Sequence, residues 1–312
     1  MGKCMSNQTK GVLITLIAAA AFGAAAPVAK YIYQFEITTG CMLALRFLIA
    51  ALLLWSYIFF FKKGVKYKIN RHQLMTMMVI GGVVYFLTTT FYFSAIKYIP
   101  VSMHIMIFYT YPFLVNLFSA LVFKEKIRKG QYFAMVVAFI GLVLTISFDS
   151  LRICGFGLLL SALAALCNGS YIVLLGLGQI GDVDSLVTAA YTNLFSAIAF
   201  LLFSGVRGEL TFSLPLGCWM GIVFLSVVTT VVGIIALSKG IRYIGSSKAS
   251  IISIFEPLEA SVLSVVFLGE RMGLRQFVGM VLIVGAIIII NYMQMEQRIP
   301  VEKQKGQELS SK

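Results

Sequence analysis

The 312-residue sequence lacks the features by which most soluble enzymes are recognised. Only 12% of its residues are charged, and only two are histidine. It contains no G-x-S-x-G, H-E-x-x-H or Walker A motif, which argues against a serine hydrolase, a zinc protease and a P-loop ATPase. Its five cysteines form no C-x-x-C pair, so neither a disulfide framework nor a zinc site is indicated. We therefore expect no catalytic activity, no metal and no cofactor.

Apolar residues dominate what is present. They make up 60% of the chain, and the mean hydropathy is +0.94, whereas soluble domains are about 45–50% apolar. The formal net charge of +13 raises the possibility of a nucleic-acid partner, but the basic residues lie in short loops and tails between apolar segments. That distribution is typical of the cytoplasmic loops of a membrane protein, so we expect the lipid bilayer and not nucleic acid as a partner.

Ten apolar segments can be drawn, each bounded by charged residues, glycine or proline. A helix needs about 20 apolar residues to cross the hydrocarbon core of a bilayer. The sequence therefore predicts an all-α polytopic membrane protein with ten transmembrane helices. The predicted spans cover approximately residues 11–33, 39–61, 73–96, 101–123, 130–147, 155–177, 185–204, 216–237, 249–268 and 274–293. A polar tail, residues 294–312, follows them.

The first half of the chain is repeated in the second half. A shift of 145 residues superimposes identical residues without a gap: Tyr98 on Tyr243, Ser102 on Ser247, Pro112 on Pro257, Ser119 on Ser264, Glu125 on Glu270 and Gln131 on Gln276. We predict two repeats, residues 11–147 and 155–293. Because each has five spans, an odd number, the second enters the membrane from the opposite side, and inverted repeats of this kind are typical of secondary transporters.

The positions of lysine and arginine predict the orientation. With the N-terminus inside the cell, 18 of the 25 lysines and arginines fall on cytoplasmic segments. The excess of positive charge on that side predicts a multi-pass protein of the plasma membrane with both termini in the cytoplasm. The sequence favours no oligomeric state.

Several motifs carry a family resemblance over nearly the whole chain. They are FGAAAPVAKY at 22–31, LRFLIAALLL at 45–54, YFSAIKYIPVS at 92–102 with its partner ALSKGIRYIGSSKAS at 236–250, and EPLEASVLSVVFLGE at 256–270. On these motifs the sequence resembles the drug/metabolite transporter superfamily, in its ten-helix EamA-type branch. The resemblance implies a transporter that exports amino acids and other small metabolites without a bound cofactor.

The strongest candidate site is in the predicted ninth span. Glu256 and Glu259 are three residues apart, so they share a helix face, and Pro257 between them removes a backbone donor inside the membrane. Ionisable groups at this depth face a cavity or a partner, and we expect the two glutamates to bind an amino group or to carry a coupling proton. The alternative is that they are structural, as a helix cap or an ion pair.

Further candidates follow from depth and from the repeat. Arg46 lies within the second span and could bind a substrate carboxylate or pair with a glutamate across the bundle; the alternative is that it reaches the outer surface. In the fourth span, Tyr111 stands where the second repeat has Glu256, next to Pro112 as a second helix break. The remaining candidates line the predicted cavity or bond neighbouring helices, and they are Tyr109, Asn116, Asn168, Tyr171, Tyr85 and Thr89.

The sequence thus favours a secondary transporter that exports or exchanges a small polar metabolite such as an amino acid. Alternating access between the inverted repeats would expose one central site to each side in turn. A passive channel or membrane scaffold is the main alternative, and an intramembrane enzyme is a remote one.

Overall fold

The computed structural model describes residues 7–61, 67–99, 101–123, 129–145, 154–177, 183–256 and 273–295. These ranges consist of helices and their connections, with no strand among them. Six helices are long and apolar enough to cross a bilayer, and we number them by their order among the ten spans. They are span 1 (Asn7–Tyr33), span 2 (Thr39–Phe60), span 3 (Arg71–Tyr98), span 6 (Gly155–Leu175), span 7 (Ser185–Val206) and span 8 (Leu216–Ile244).

Of the other four spans, span 4 is interrupted, span 5 is shorter and span 9 is described only in its first part. Span 4 consists of Val101–Phe108 and Tyr111–Phe123, and span 5 is Lys129–Thr145. Span 9 begins with Ser246–Ile252 and continues into a 3₁₀ turn, Ser253–Phe255. Span 10 is Leu274–Met295. The fold is thus the all-α arrangement of ten membrane helices that the sequence predicts, in two inverted repeats of five.

Spans 4 and 9 are irregular at equivalent positions. Span 4 breaks at Tyr109 and Thr110, where the Thr110 hydroxyl donates to the Ile107 carbonyl at 2.7 Å. Pro112 then occupies the first turn of the next helical segment, where a missing N–H costs nothing because no intrahelical acceptor is available. The 3₁₀ turn of span 9 lies 145 residues further along. Pro257, the predicted second break, lies outside the described residues.

Spans 3 and 8 share another irregularity, a π-helical segment that the sequence analysis did not predict. The segments are Ile80–Tyr85 and Leu225–Val232, and they begin 145 residues apart. A π-turn widens the helix and leaves carbonyl groups that need other donors inside the membrane. Threonine hydroxyls donate to backbone carbonyls at both segments: Thr89 to Tyr85 at 2.8 Å, and Thr230 to Leu225 at 3.0 Å.

The packing of the spans has the symmetry of the repeat. Spans 2 and 7 pack against each other, and so do spans 5 and 10. Span 1 packs against span 8 just as its counterpart, span 6, packs against span 3. Exchanging the two halves therefore leaves this pattern of contacts unchanged. With five spans in each half, the relating axis lies in the plane of the membrane.

Span 3 packs closely against span 7 at Gly81. Its carbonyl accepts a hydrogen bond from the Ser196 hydroxyl at 2.8 Å, and a Cβ added to Gly81 would lie 2.9 Å from Thr192 Cα. A Cβ added to the next residue, Gly82, would meet nothing closer than 3.7 Å. Small residues at such crossings let helix backbones pack closely in a membrane.

We expect Gly81→Ala to destabilise the protein by about 1–3 kcal/mol, because backbone atoms of span 7 must move to admit the methyl group. Gly82→Ala is the matched control, since it adds the same methyl group to the same π segment where no atom lies closer than 3.7 Å. Thermal unfolding of both variants in detergent measures the difference. Equal melting temperatures would show that spans 3 and 7 are not closely packed.

Candidate functional site

A cavity lies in the middle of the bundle, between the two repeats. Its volume is about 80 Å³, well below the roughly 300–1,000 Å³ of pockets that hold drug-sized ligands. Seven spans contribute to its wall, and the lining residues are Phe22, Ala25, Arg46, Tyr85, Thr88, Thr89, Tyr92, Phe93, Phe108, Tyr111, Asn168, Tyr171, Ile172, Leu237, Ser253 and Glu256.

The cavity brings together seven of the ten residues proposed from the sequence as substrate-binding or coupling residues. These seven are Arg46, Tyr85, Thr89, Tyr111, Asn168, Tyr171 and Glu256. They come from spans 2, 3, 4, 6 and 9. Since they are far apart in the sequence, it is the packing of these spans that brings them together. An arginine and a glutamate thus share one largely aromatic cavity in the interior of the bundle.

Arg46 is the cationic residue in the wall of the cavity. Its side chain is only 2% exposed, so the alternative that it reaches the outer surface is wrong: the neighbouring spans cover it completely. Its Nε donates to Thr230 Oγ1 of span 8 at 2.7 Å, and the guanidinium carbon lies 5.3 Å and 5.4 Å from the ring centres of Phe47 and Phe93. Within the described residues, Nη1 of Arg46 has no hydrogen-bond partner.

Glu256 is the acidic residue in the wall of the cavity. Its Oε2 accepts a hydrogen bond from the Tyr109 hydroxyl at 2.6 Å, a contact that joins the irregular segments of spans 4 and 9. Tyr109 does not line the cavity, but its hydrogen bond positions Glu256, which does. The rings of Tyr109 and Tyr111 lie 5.7 Å apart, so Tyr111 packs beside this pair and faces the cavity.

Aromatic rings form the wall that spans 3 and 6 contribute. The rings of Tyr85 and Tyr171 are stacked with their centres 4.5 Å apart. Tyr85 also makes an edge contact with Phe47, at 5.5 Å between ring centres. The hydroxyl of Tyr171 is buried without a hydrogen-bond partner among the described residues. This wall offers a flat apolar surface with phenolic hydroxyls at its edge.

Asn116 does not line the cavity. Its side-chain amide donates to the carbonyl of Pro112, one turn earlier on the same helix, at 2.7 Å. Pro112 is buried at the break in span 4. Glu259 and Pro257 lie outside the described residues. Among those described, no group of three or more histidine, cysteine, aspartate or glutamate side chains could hold a metal ion.

The sequence analysis missed several residues of the site. Tyr92, Thr88 and Ser253 line the cavity, and Thr230 holds Arg46 in place. The repeat offered a signal for one of them, because Thr230 is the counterpart of the candidate Tyr85 under the shift of 145 residues. Tyr92 had no such signal, since its counterpart is Leu237.

We expect Thr230→Val to lower the free energy of unfolding by about 1–3 kcal/mol more than Thr229→Val does, because it leaves Nε of a buried guanidinium without an acceptor. Thr229 is the matched control: its hydroxyl also donates to the Leu225 carbonyl, at 2.7 Å, but it does not contact Arg46. Thermal unfolding of the two variants in detergent measures the difference. Equal loss of stability in the two variants would mean that the Arg46–Thr230 hydrogen bond contributes nothing to the free energy of unfolding.

Comparison with known proteins agrees with these features. The model of the EamA-like transporter family matches residues 9–147 and again residues 155–292. The chain is 28% identical over 291 residues to the uncharacterized transporter YyaM of Bacillus subtilis, a match that covers 88% of this chain and 93% of the relative. It is 25% identical over 295 residues to the uncharacterized inner membrane transporter YicL of Salmonella typhimurium, covering 92% of this chain and 97% of the relative.

A crystal structure has the same fold. It superimposes with a TM-score of 0.78 at 19% sequence identity, covering 93% of this chain and 99% of the other. The family model matches each repeat once, and the relatives align over nearly their whole length. The chain therefore belongs to the EamA-like transporter family of the drug/metabolite transporter superfamily, and it is a multi-pass membrane transporter and not an enzyme.

Proposed function

We propose that this transporter carries a small polar metabolite with a carboxylate group, such as an amino acid, and that the central cavity is its binding site. The observation that carries the proposal is Arg46: a guanidinium that lines a cavity deep in the bundle and retains a nitrogen without a hydrogen-bond partner in the described residues. A buried charge without full pairing is costly, and a bound carboxylate would complete its hydrogen bonds.

Glu256 fits the other end of such a substrate. It lines the same cavity as Arg46 and is held by the Tyr109 hydroxyl, so a carboxylate is positioned to receive an ammonium group. The stacked rings of Tyr85 and Tyr171 would contact the apolar part of the substrate. A zwitterion would then bind with each charge opposite its complement, and the two protein charges would be neutralised together.

Transport would proceed by alternating access. The inverted repeats have matched breaks in spans 4 and 9 and matched π segments in spans 3 and 8, so the two halves can exchange their packing around a fixed site. The cavity of about 80 Å³ corresponds to a closed form that must widen to admit substrate. We propose export or exchange across the plasma membrane, with both termini in the cytoplasm and repeats at residues 11–147 and 155–293.

Proton coupling is the second part of the proposal. Glu256 and Glu259 are three residues apart, and a carboxylate in a cavity that opens to either side in turn can bind and release a proton on each face. Since Glu256 is held by Tyr109 and would bind the substrate, we assign the proton to Glu259.

We expect Arg46→Gln to raise the substrate concentration for half-maximal uptake by about 10–100-fold, since a hydrogen-bonded charge contributes about 1.5–3 kcal/mol. The measurement is uptake of labelled amino acids and related metabolites into proteoliposomes. Lys30→Gln, which removes an exposed cation from span 1, is the control and should leave uptake unchanged.

Decarboxylated analogues of the substrate test the roles of Arg46 and Glu256 separately. Transport of the corresponding amine should be insensitive to Arg46→Gln and should be lost in Glu256→Gln. If Arg46→Gln affects the amine and the amino acid equally, Arg46 does not bind the carboxylate. Flux that does not saturate, in any variant, would indicate a channel.

We expect Glu259→Gln to abolish uptake driven by an imposed proton gradient while leaving substrate exchange across the same vesicles intact, because a glutamine cannot release a proton. Glu256→Gln is the comparison variant and should impair both activities, since it removes the proposed ligand of the ammonium group. Gradient-driven uptake by Glu259→Gln at the wild-type rate over the whole pH range would contradict the assignment.

A further inference from the structure

The inverted repeat produces two grooves, one near each face of the membrane. The inner groove has a volume of about 850 Å³ and is formed by the end of span 2, the start of span 7 and the end of span 8. The outer groove, of about 310 Å³, is formed by the start of span 2, the end of span 7 and the end of span 3. A shift of 145 residues relates their walls: Thr90 corresponds to Ile235, Ser94 to Lys239 and Lys97 to Arg242.

The inner groove is separate from the central cavity. Leu237 of span 8 lines the cavity, whereas Ile235 and Lys239, two residues before and after it, line the groove. Residues two apart on a helix point about 200° apart, so the groove lies behind span 8 as seen from the cavity. It is therefore not part of the central binding site.

The inner groove contains two basic residues, Lys239 and Arg242. The Lys239 side chain is exposed there, and Nη1 of Arg242 donates to the Val183 carbonyl at 2.8 Å, which fixes the guanidinium at the rim. The carboxylate of Asp184 also lines the groove, but it caps span 7 by accepting from the Leu186 amide at 2.8 Å. Among the described residues of the groove, two cations and one carboxylate give a net positive charge.

The inner groove also has an apolar surface that is partly exposed. Leu53 is 45% exposed and Tyr57 is 51% exposed, and Val231 and Ile235 form the opposite wall. A free inorganic anion would use the cations and leave this apolar surface without a partner. A phospholipid would use both parts, because its headgroup carries a phosphate and its chains are apolar.

Among its described lining residues the outer groove has the same formal charges, two cations (Lys97 and Arg207) and one carboxylate (Glu209), but they are engaged within the protein. Arg207 is ion-paired with Glu209, and the Lys97 ammonium lies 4.4 Å from the centre of the Tyr33 ring. The position of the exposed Lys239 is occupied by Ser94 in the outer groove. In the proposed orientation the inner groove faces the cytoplasmic leaflet, where anionic lipids create a negative surface potential.

We propose that the inner groove is a binding site for an anionic phospholipid of the cytoplasmic leaflet, with Lys239 and Arg242 binding the headgroup phosphate and Leu53, Val231 and Ile235 contacting an acyl chain. The site is independent of the substrate cavity, so it does not depend on which metabolite the protein carries.

The test is native mass spectrometry of the full-length protein, purified in detergent and titrated with phosphatidylglycerol or with phosphatidylcholine of the same acyl chains. We expect the wild type to bind phosphatidylglycerol more tightly, and Lys239→Gln to weaken that binding about five-fold, since one basic residue near a lipid surface contributes about 1 kcal/mol. Lys97→Gln, at the outer groove, is the matched control and should leave the binding unchanged.

A second variant separates a lipid from a free anion. Leu53→Trp narrows the apolar part without changing charge, and it should also weaken phosphatidylglycerol binding. If Lys239→Gln has no effect, if Lys97→Gln has the same effect, or if both lipids bind equally, the proposal is wrong. It is equally wrong if glycerol phosphate competes fully with phosphatidylglycerol while Leu53→Trp binds the lipid normally.

Discussion

A guanidinium buried between membrane helices imposes a strict condition on the surrounding structure. Removing such a charge from water costs several kcal/mol even after relaxation, so each of its donors needs an acceptor or a ring face. For Arg46 the acceptor is Thr230, and the rings are Phe47 and Phe93. The Thr230 hydroxyl also donates to Leu225, five residues earlier, which is the spacing of a π-turn. The π segment of span 8 is therefore part of the support of Arg46.

The repeat explains why so much of the architecture could be predicted from the sequence. Ten apolar segments and a constant shift of 145 residues indicate the number of spans, their inversion and the position of the break before Pro112. The π segments could not be predicted in this way, because a run such as LSVVTTVV fits an ordinary membrane helix equally well. Only the backbone geometry shows that the turn is wider and that its threonine hydroxyls donate to the Leu225 carbonyl.

The site could be predicted in outline but not in its contacts. Depth in the membrane pointed to Arg46 and Glu256, and the structure places both in one cavity. Depth also suggested Asn116, but its side-chain amide bonds the Pro112 carbonyl one turn earlier on the same helix and does not face the cavity. Similarly, Tyr109 and Tyr111 are alike in sequence, and the turn between them determines which one bonds Glu256.

The two repeats share their backbone irregularities but not their charges. The breaks and π segments recur after 145 residues, whereas Arg46 corresponds to Tyr191 and Glu256 to Tyr111. A transporter that alternates between two packings needs them to be close in energy, which matched irregular segments favour. Under the proposal that Arg46 and Glu256 bind the substrate, one such pair at the centre is enough, because a second arginine and glutamate would also have to be buried. The asymmetry of charge between the repeats therefore favours a single binding site between two similarly folded halves.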